Sequence, residues 1–328
     1  MSNLYPLKFE PIYKEYIWGG AKLKNNLNKK IPSSISLCAE SWEISSIQEN
    51  LSVVSNGFLA GNNLQEVIEV YMGDIVGDKV YNKFGNEFPI LIKLIDATDT
   101  LSIQVHPNDE VAMRRHHAFG KTEMWYVLES EPNSQIITGF NRNVTKKEYQ
   151  EHLINHTLKD ILNVEQASKD DIFFLPSGRI HAIGKGILLA EIQQASDITY
   201  RIFDWDRVDK NGKPRELHTD LALDVIDFNK YDSYKFTKPL EKNESTELIN
   251  SVFFDVNRLI FNKPIEKDYH LLDSFVIYLC LDGELDIVYG EEAGEHLVKG
   301  ETVLIPADLK IVSLNPLRSA TILEVFLK

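Results

Sequence analysis

Apolar and polar residues along this chain alternate in short runs rather than in long helical stripes. Runs rich in β-branched and aromatic residues fall at 41–46, 88–95, 124–128, 134–138, 171–175, 186–193, 275–281 and 284–289, broken by Gly, Pro, Asn and Asp. Such density of short strands separated by turn residues predicts an all-β barrel or sandwich. Helical spacing is rarer. Over 64–72, Leu64, Val67, Ile68 and Tyr71 recur at helical intervals. Over 145–162, Thr145 and Glu148 form a capping box, and Tyr149, Leu153, Ile154, Leu158, Ile161 and Leu162 trace one apolar stripe. That pattern predicts a single helix, with His152 and His156 on its solvated face. A further short helix is expected over 217–226.

The pattern repeats within the chain. Residues 124–128 (MWYVL) resemble 276–280 (VIYLC), and 171–176 (DIFFLP) resemble 301–306 (ETVLIP). Tyr126 and Pro176 are 50 residues apart whereas Tyr278 and Pro306 are 28 apart, so the first copy carries about 22 extra residues, largely the 145–162 helix. The reading is mainly β: two cupin-like (jelly-roll) β-barrels with a short helical insertion. The first domain is expected over 1–235 and the second over 236–328, with a polar connection near 229–244 that contains Pro239. Glu123 and His181 of the first copy correspond to Phe275 and Ile311 of the second, so chemistry is expected in the first barrel alone.

Composition narrows the functional classes. With 328 residues and 43% hydrophobic content the chain can bury a substantial core. A net charge of −14 disfavours broad attraction to nucleic acid or an anionic membrane, so an anionic small substrate needs a local cluster of Lys and Arg. No apolar run approaches the roughly 18 residues of a membrane span. The N-terminal stretch MSNLYPLKFEP has neither a basic nor an apolar leader region. Cys38 and Cys280 sit far apart in apolar runs and read as buried thiols of a cytoplasmic protein.

Four polar residues in this apolar frame suggest a metal. Gln104 and His106 are two apart, which puts them on one face of a strand. Glu123 opens an apolar strand after Gly120. His181 follows in a Pro-x-Gly-x-x-His pattern, where Gly178 permits a tight turn. Singly, each fits a satisfied core residue. Together, two imidazoles, a carboxylate and an amide suit zinc and leave room for a substrate oxygen. His116 and His117, in MRRHHAFG, read as an exposed loop. Lys121 and Lys93 read as cations beside the ligand strands, as does Arg179. Lys93 is flanked by apolar residues and so requires a partner. Trp18 in IWGG fits a sugar platform or core packing.

The segments FPILIKLIDA, LSIQVHPND, GKTEMWYVL, PSGRIHAIGKGILLAEIQQASDITYRIFDWDR and RELHTDLAL together resemble the class I (cupin-type) mannose-6-phosphate isomerases of the short bacterial branch. The resemblance runs from Tyr16 to about Asp227 and more weakly beyond. It implies one zinc per chain on Gln104, His106, Glu123 and His181, and interconversion of mannose 6-phosphate and fructose 6-phosphate through an enediolate. It places the active-site arginine at Arg201 and substrate-contacting positions at Ser102, Lys121, Glu191, Lys93 and Asp197. Arg201, which keeps its proton, stabilises enediolate oxygens. The base is Glu191, Asp197, Lys121 or hydroxide on the metal. Longer members carry His-Lys-Pro-Glu where this chain has Gly120-Lys-Thr-Glu123, so that histidine has no counterpart here. Their large helical domain is expected to shrink to the 145–162 helix. The expected partner is a sugar phosphate, with no nucleic acid or membrane, and the chain is a monomer or homodimer. Two other readings stay open: another metal-dependent cupin, such as a dioxygenase, distinguishable by metal content and oxygen uptake; and a non-catalytic sugar-phosphate-binding cupin, distinguishable by binding without turnover.

Overall fold

Alternation along single strands decides which apolar cluster each side chain joins. In the strand Glu123–Ser130, Met124, Tyr126 and Leu128 enter one cluster while Trp125 and Val127 enter another. The strands Ile187–Gln194 and Ile90–Ala97 divide the same way: Leu188, Ala190, Ile92 and Leu94 on one side, Ile187, Leu189, Ile95 and Ala97 on the other. Strands buried on both faces read as continuous apolar runs, which is why they were legible in the sequence. The computed structural model describes residues 4–208, 212–290 and 293–328. Residues 1–3, part of the stretch read as carrying no leader, lie outside the described residues.

These strands belong to an antiparallel seven-stranded sheet in the order Lys235–Phe236, Ile172–Leu175, Glu123–Ser130, Ile187–Gln194, Ile90–Ala97, Cys38–Ile44, Ile12–Gly20. A five-stranded antiparallel sheet, Leu162–Gln166, Gln135–Phe140, His181–Ile183, Ile103–Val105, Tyr200–Phe203, packs on one face of it. The two share a cluster that includes Trp125, Phe173 and Leu189 from the first sheet and Ile136 and Ile183 from the second. The outer face of the five-stranded sheet is covered by the helices Lys146–Ile154 and Thr219–Leu223, through Tyr149, Phe140, Tyr200 and Ala222.

The C-terminal residues supply seven strands of an eight-stranded sheet built around the long strands Val276–Tyr289 and Ile311–Phe326. Val276, Tyr278 and Cys280 face its own cluster. Ile277, Leu279 and Leu281 join the outer face of the seven-stranded sheet, where Phe275 meets Phe88 with ring centroids 4.4 Å apart. Each fully buried Leu, Ile or Phe there contributes about 1.5–3 kcal/mol. The N-terminal strand Leu7–Lys8 pairs with Thr302–Ile305 of this sheet. The repeated motif is visible as equivalent pairing: Glu123–Ser130 with Ile172–Leu175, and Val276–Tyr289 with Thr302–Ile305, both antiparallel. The chain is mainly β.

The helices depart from expectation in three places. The 145–162 pattern is split: the helix is Lys146–Ile154, a 3-10 turn spans Leu158–Ile161, and Leu162 begins a strand. His156, at φ +57°, marks the break. Three consecutive helices, Leu64–Tyr71, Gly73–Val76 and Asp78–Phe84, occupy the approach to Ile90–Ala97, so helical structure is not confined to the insertion. His116 ends a helix, Asp109–His116, that is capped by the Asn108 side chain. Among the described residues, no helix is long and apolar enough to cross a membrane. Cys38 and Cys280 are both buried and free.

Candidate metal centre

His106 lies one residue beyond the strand Ile103–Val105, and His181 opens the strand His181–Ile183. Their rings stand 4.8 Å apart between the two sheets. His106 Nδ1 is 2.9 Å from the Ile198 carbonyl, and His181 Nδ1 is 2.8 Å from the Arg179 carbonyl. Each carbonyl fixes the proton on Nδ1 and leaves the Nε2 lone pair free, the tautomer a metal ligand needs. Glu123 completes the group, with Oε1 3.1 Å from His181 Nε2 and Oε2 3.5 Å from His106 Nε2. One ligand atom from each of the three residues lies within 4.8 Å of the others.

The protonation of the two histidines favours a cation. Burial, aided by the Lys121 charge, holds His106 well below the ordinary imidazole value. Burial also lowers His181, to about 4, against the pull of the Arg179 carbonyl. Both are neutral donors near pH 7. Burial pushes Glu123 up to about 8, opposed by Lys121. Both Glu123 oxygens and His181 Nε2 are buried and make no hydrogen bond. Three orphaned polar atoms converging on one point carry a heavy desolvation penalty, which a divalent cation relieves. Two His and one Glu form the donor set of catalytic zinc sites, so these residues fit the group.

The turn before His181 is built for close approach. Gly178 has φ +89°, and a Cβ there would meet the Val225 carbonyl oxygen at 2.8 Å. Its N–H donates to the His106 carbonyl at 2.9 Å. Thus the loop carrying one histidine is tied to the backbone of the other. Arg179 does not reach the cavity beside the metal group. Its guanidinium lies over the rings of Tyr231 and Tyr234, at 4.4 and 4.8 Å. The unassigned histidines are elsewhere: His116 Nε2 contacts the Tyr200 hydroxyl at 2.8 Å, and His117 is the left-handed cap of its helix.

A cavity of about 400 Å³ opens beside the metal group. The remaining candidates from the sequence line it: Gln104, Ser102, Lys121, Glu191, Lys93, Asp197 and Arg201. Gln104 stands directly opposite His181 on one neighbouring strand and opposite Arg201 on the other. Ser102 is buried, whereas Asp197 is exposed at the rim. Lys121 Nζ lies 3.4 Å from Glu123 and 3.3 Å from His106 Nε2. Arg201 donates from Nη1 to the Glu216 carbonyl at 2.9 Å, while its buried Nε has no partner.

Lys93 found the partner its apolar surroundings require. Its Nζ lies 3.0 Å from Glu191 Oε1 and 3.8 Å from Glu40 Oε2, over the face of Trp42. Burial opposes ionisation of Glu191, yet Lys93, Lys121 and the Trp125 N–H hold it at about 2.

Other residues that line the cavity or buttress it were missed from the sequence. Trp125 donates its indole N–H to Glu191 at 2.7 Å and sets its edge against His181. Its position two residues after Glu123 was a usable signal, because i and i+2 share a strand face. Glu40 and Trp42 form a similar pair at 2.6 Å. Tyr16 stacks on Trp18 at 5.3 Å beside the cavity. Lys14, Arg215 and His218 also line it. Arg215 comes from a loop, and His218 caps the helix Thr219–Leu223 at the start of the 217–226 stretch read as helical.

Comparison with known proteins finds relatives along nearly the whole chain. Residues 6–144 match the family model for the catalytic domain of phosphomannose isomerase type I. The chain is 35% identical over 310 residues to the mannose-6-phosphate isomerase ManA of Bacillus subtilis (strain 168), covering 93% of this chain and 94% of that one. It is 32% identical over 315 residues to the mannose-6-phosphate isomerase of Streptococcus mutans serotype c, covering 94% and 97%. Its structure resembles the crystal structure of the mannose 6-phosphate isomerase from Bacillus subtilis, with a TM-score of 0.87, 31% identity and coverage of 98% and 99%.

Proposed function

This chain belongs to the type I phosphomannose isomerase family, and we propose that it interconverts D-mannose 6-phosphate and D-fructose 6-phosphate by zinc-assisted proton transfer through an enediolate. The observation that carries this reading is the pair of inward-facing histidine Nε2 atoms. Both are set by backbone carbonyls and close on Glu123 beside a cavity that holds Arg201. His106, Glu123 and His181 would hold the zinc, with Gln104 as the fourth candidate ligand. Bound there, zinc supplies Lewis-acid polarisation of the substrate's carbonyl and hydroxyl oxygens.

The chain's own residues supply the rest. Arg201 is a fixed cation, since its guanidinium is tied to Glu216 and its backbone to His218. Its role is to stabilise negative charge developing on the enediolate oxygens, without reorganising as that charge forms. A proton must leave C2 of the aldose and return at C1. Glu191 is ionised and paired, and a carboxylate held near 2 is a weak base. Asp197 stands out at the rim. We therefore assign the proton transfer to Lys121 Nζ acting as the neutral amine, which accepts the proton from C2 and returns it to C1. Trp42 and the stacked Tyr16 and Trp18 give the cavity aromatic surface that limits water beside the reacting carbons. We also assign the catalytic site to a domain spanning 1–235.

The test is a coupled isomerase assay on the purified protein together with its zinc content. One zinc per chain and turnover of mannose 6-phosphate are expected. Arg201→Ala and Lys121→Met should each keep zinc and lose turnover. Zinc-replete wild-type protein without turnover would sink the proposed reaction.

A further inference from the structure

A sugar phosphate brings two negative charges into a protein of net charge −14, so the cavity must supply a local cationic surplus. The sequence offered Lys93, Lys121 and Arg179 for this. In the structure none of them is free. Lys93 is bracketed by Glu191 and Glu40, Lys121 lies against Glu123, and Arg179 is held by two tyrosines outside the cavity.

The surplus lies on the opposite wall. Asp204, a buried carboxylate, accepts from Arg215 Nε at 2.7 Å and from Arg207 Nη2 at 2.6 Å. Arg201 stands near enough for Arg215 and Arg207 to act on its ionisation. Two guanidiniums thus grip one buried carboxylate, and Arg201 lines the same cavity as Arg215. The other acid among the described residues that pairs with them is the exposed Asp99, 3.5 Å from Arg207. Arg215 also lines the cavity, about a third of its side chain is exposed, and its Nη1 has no partner among the described residues.

His218 adds a donor to the same wall. Its Nδ1 accepts the Arg201 backbone N–H at 3.2 Å, and its own N–H donates to the Arg201 carbonyl at 2.7 Å. An Nδ1 that accepts carries no proton, so the proton sits on Nε2. Nothing among the described residues accepts from Nε2, and the ring lines the cavity. The imidazole is therefore a neutral hydrogen-bond donor whose tautomer the Arg201 backbone selects.

We propose that Arg215 and His218 form the subsite for the phosphomonoester of the substrate, using Arg215 Nη1 and the His218 Nε2–H. This rests on the sugar-phosphate reading above and gives the substrate a direction. Its phosphate end lies against Arg215 and His218, and its carbonyl end lies toward Gln104 and the metal group.

The experiment uses the full-length, metal-loaded protein, with mannose 6-phosphate as substrate and inorganic phosphate as competing probe. Arg215→Gln should raise KM roughly ten- to hundredfold, the loss of one charge-assisted contact, and weaken phosphate inhibition in parallel while kcat changes little. His218→Asn keeps an acceptor for the Arg201 N–H and removes the Nε2–H, so KM should rise about two- to tenfold. His218→Gln sets an amide N–H near the Nε2 position and should recover part of that loss. Unchanged KM and unchanged phosphate inhibition in both Arg215→Gln and His218→Asn overturn the assignment. So does a fall in kcat at constant KM, which would mark a role through Arg201. If Arg215→Gln fails to fold because Asp204 loses a partner, the asparagine and glutamine variants of His218 decide the matter. Wild-type protein without isomerase activity would defeat the sugar-phosphate reading, yet calorimetric titration of inorganic phosphate onto the same variants would still test the subsite.

Discussion

Lys93 and Glu191 sit directly opposite each other on adjacent strands, with Nζ 3.0 Å from Oε1, and both are buried. Removing one charge from such a pair strands the other away from water. Lys93→Met should therefore destabilise the protein by about 3–5 kcal/mol in urea unfolding. Glu40, 3.8 Å from the same ammonium, loses a counter-charge too. The double variant Lys93→Met with Glu191→Gln should recover a large part of the loss, because Glu191 no longer buries a charge. A single variant that unfolds like wild type would show that Glu191 does not depend on Lys93.

Metal removal should be visible in stability as well as activity. Both Glu123 oxygens and His181 Nε2 lack hydrogen bonds in the protein, so a bound cation satisfies groups the fold leaves open. Zinc at a hundred times its Kd should stabilise the folded state by about 2.7 kcal/mol over the chelated protein. The midpoint of thermal unfolding should rise with free zinc in wild type and stay flat in Glu123→Ala. A wild-type midpoint indifferent to zinc and chelator would argue against a metal at these three residues.

The C-terminal sheet predicts an alkaline limit to stability. The Tyr269 and Tyr278 hydroxyls contact each other, Tyr269 donates to Glu324, and all three residues are buried. Burial, with the Glu324 charge, pushes both phenols well above the ordinary value of 10. A folded-state value raised above the unfolded one contributes stability that is complete below pH 10 and is lost as pH rises beyond it. Melting temperatures should fall steeply from pH 10 upward, and Tyr278→Phe should flatten part of that fall. Equal slopes in the two proteins would remove this phenol from the account.

The buried thiols should be inert in the folded state. Burial pushes Cys38 up to about 11 and Cys280 up to about 12, and the thiolate is the reactive form. A disulfide-exchange reagent at pH 8 should label neither thiol in the native protein and both after unfolding in urea. Rapid native labelling of Cys38 would mean that its strand opens locally.

What the sequence revealed follows from how each feature is held in place. Strands such as Glu123–Ser130 and Ile187–Gln194 were legible because both faces are buried, so composition alone marks them. The helix Asp109–His116 was not, because Ala112 is its only buried residue and its start rests on the Asn108 cap. The 145–162 stripe misled because residues 158, 161 and 162 return to the same cluster by a 3-10 turn and a strand, mimicking helical spacing. His106, Glu123 and His181 could be picked out because polar side chains in apolar strands are expensive. The fate of Lys93 could not be read, since its partners Glu191 and Glu40 become neighbours only across the sheet, whereas Lys121 stands two residues from its partner Glu123. Arg215 sits in a loop and His218 caps the helix that follows, and the attachment of this segment to the Arg201 strand is announced by no periodicity.

Gly178 offers a test of how the two histidines are coordinated. It holds φ +89° between the His106 carbonyl, which accepts its N–H at 2.9 Å, and the Asp227 N–H, which donates to its carbonyl at 2.8 Å. Alanine there faces two costs: a left-handed backbone, about 1–3 kcal/mol, and a Cβ 2.8 Å from the Val225 carbonyl oxygen. Relief requires the turn to move, and the turn carries His181 three residues on while gripping the backbone of His106. Gly178→Ala should therefore lower both unfolding free energy and zinc affinity. Gly61 has a similar φ of +92° with open space where a Cβ would stand. Gly61→Ala should bear the backbone cost alone, losing some stability at unchanged zinc affinity. Equal zinc affinity in the two variants, measured by chelator competition, would show that the Gly178 turn does not set the spacing of His106 and His181.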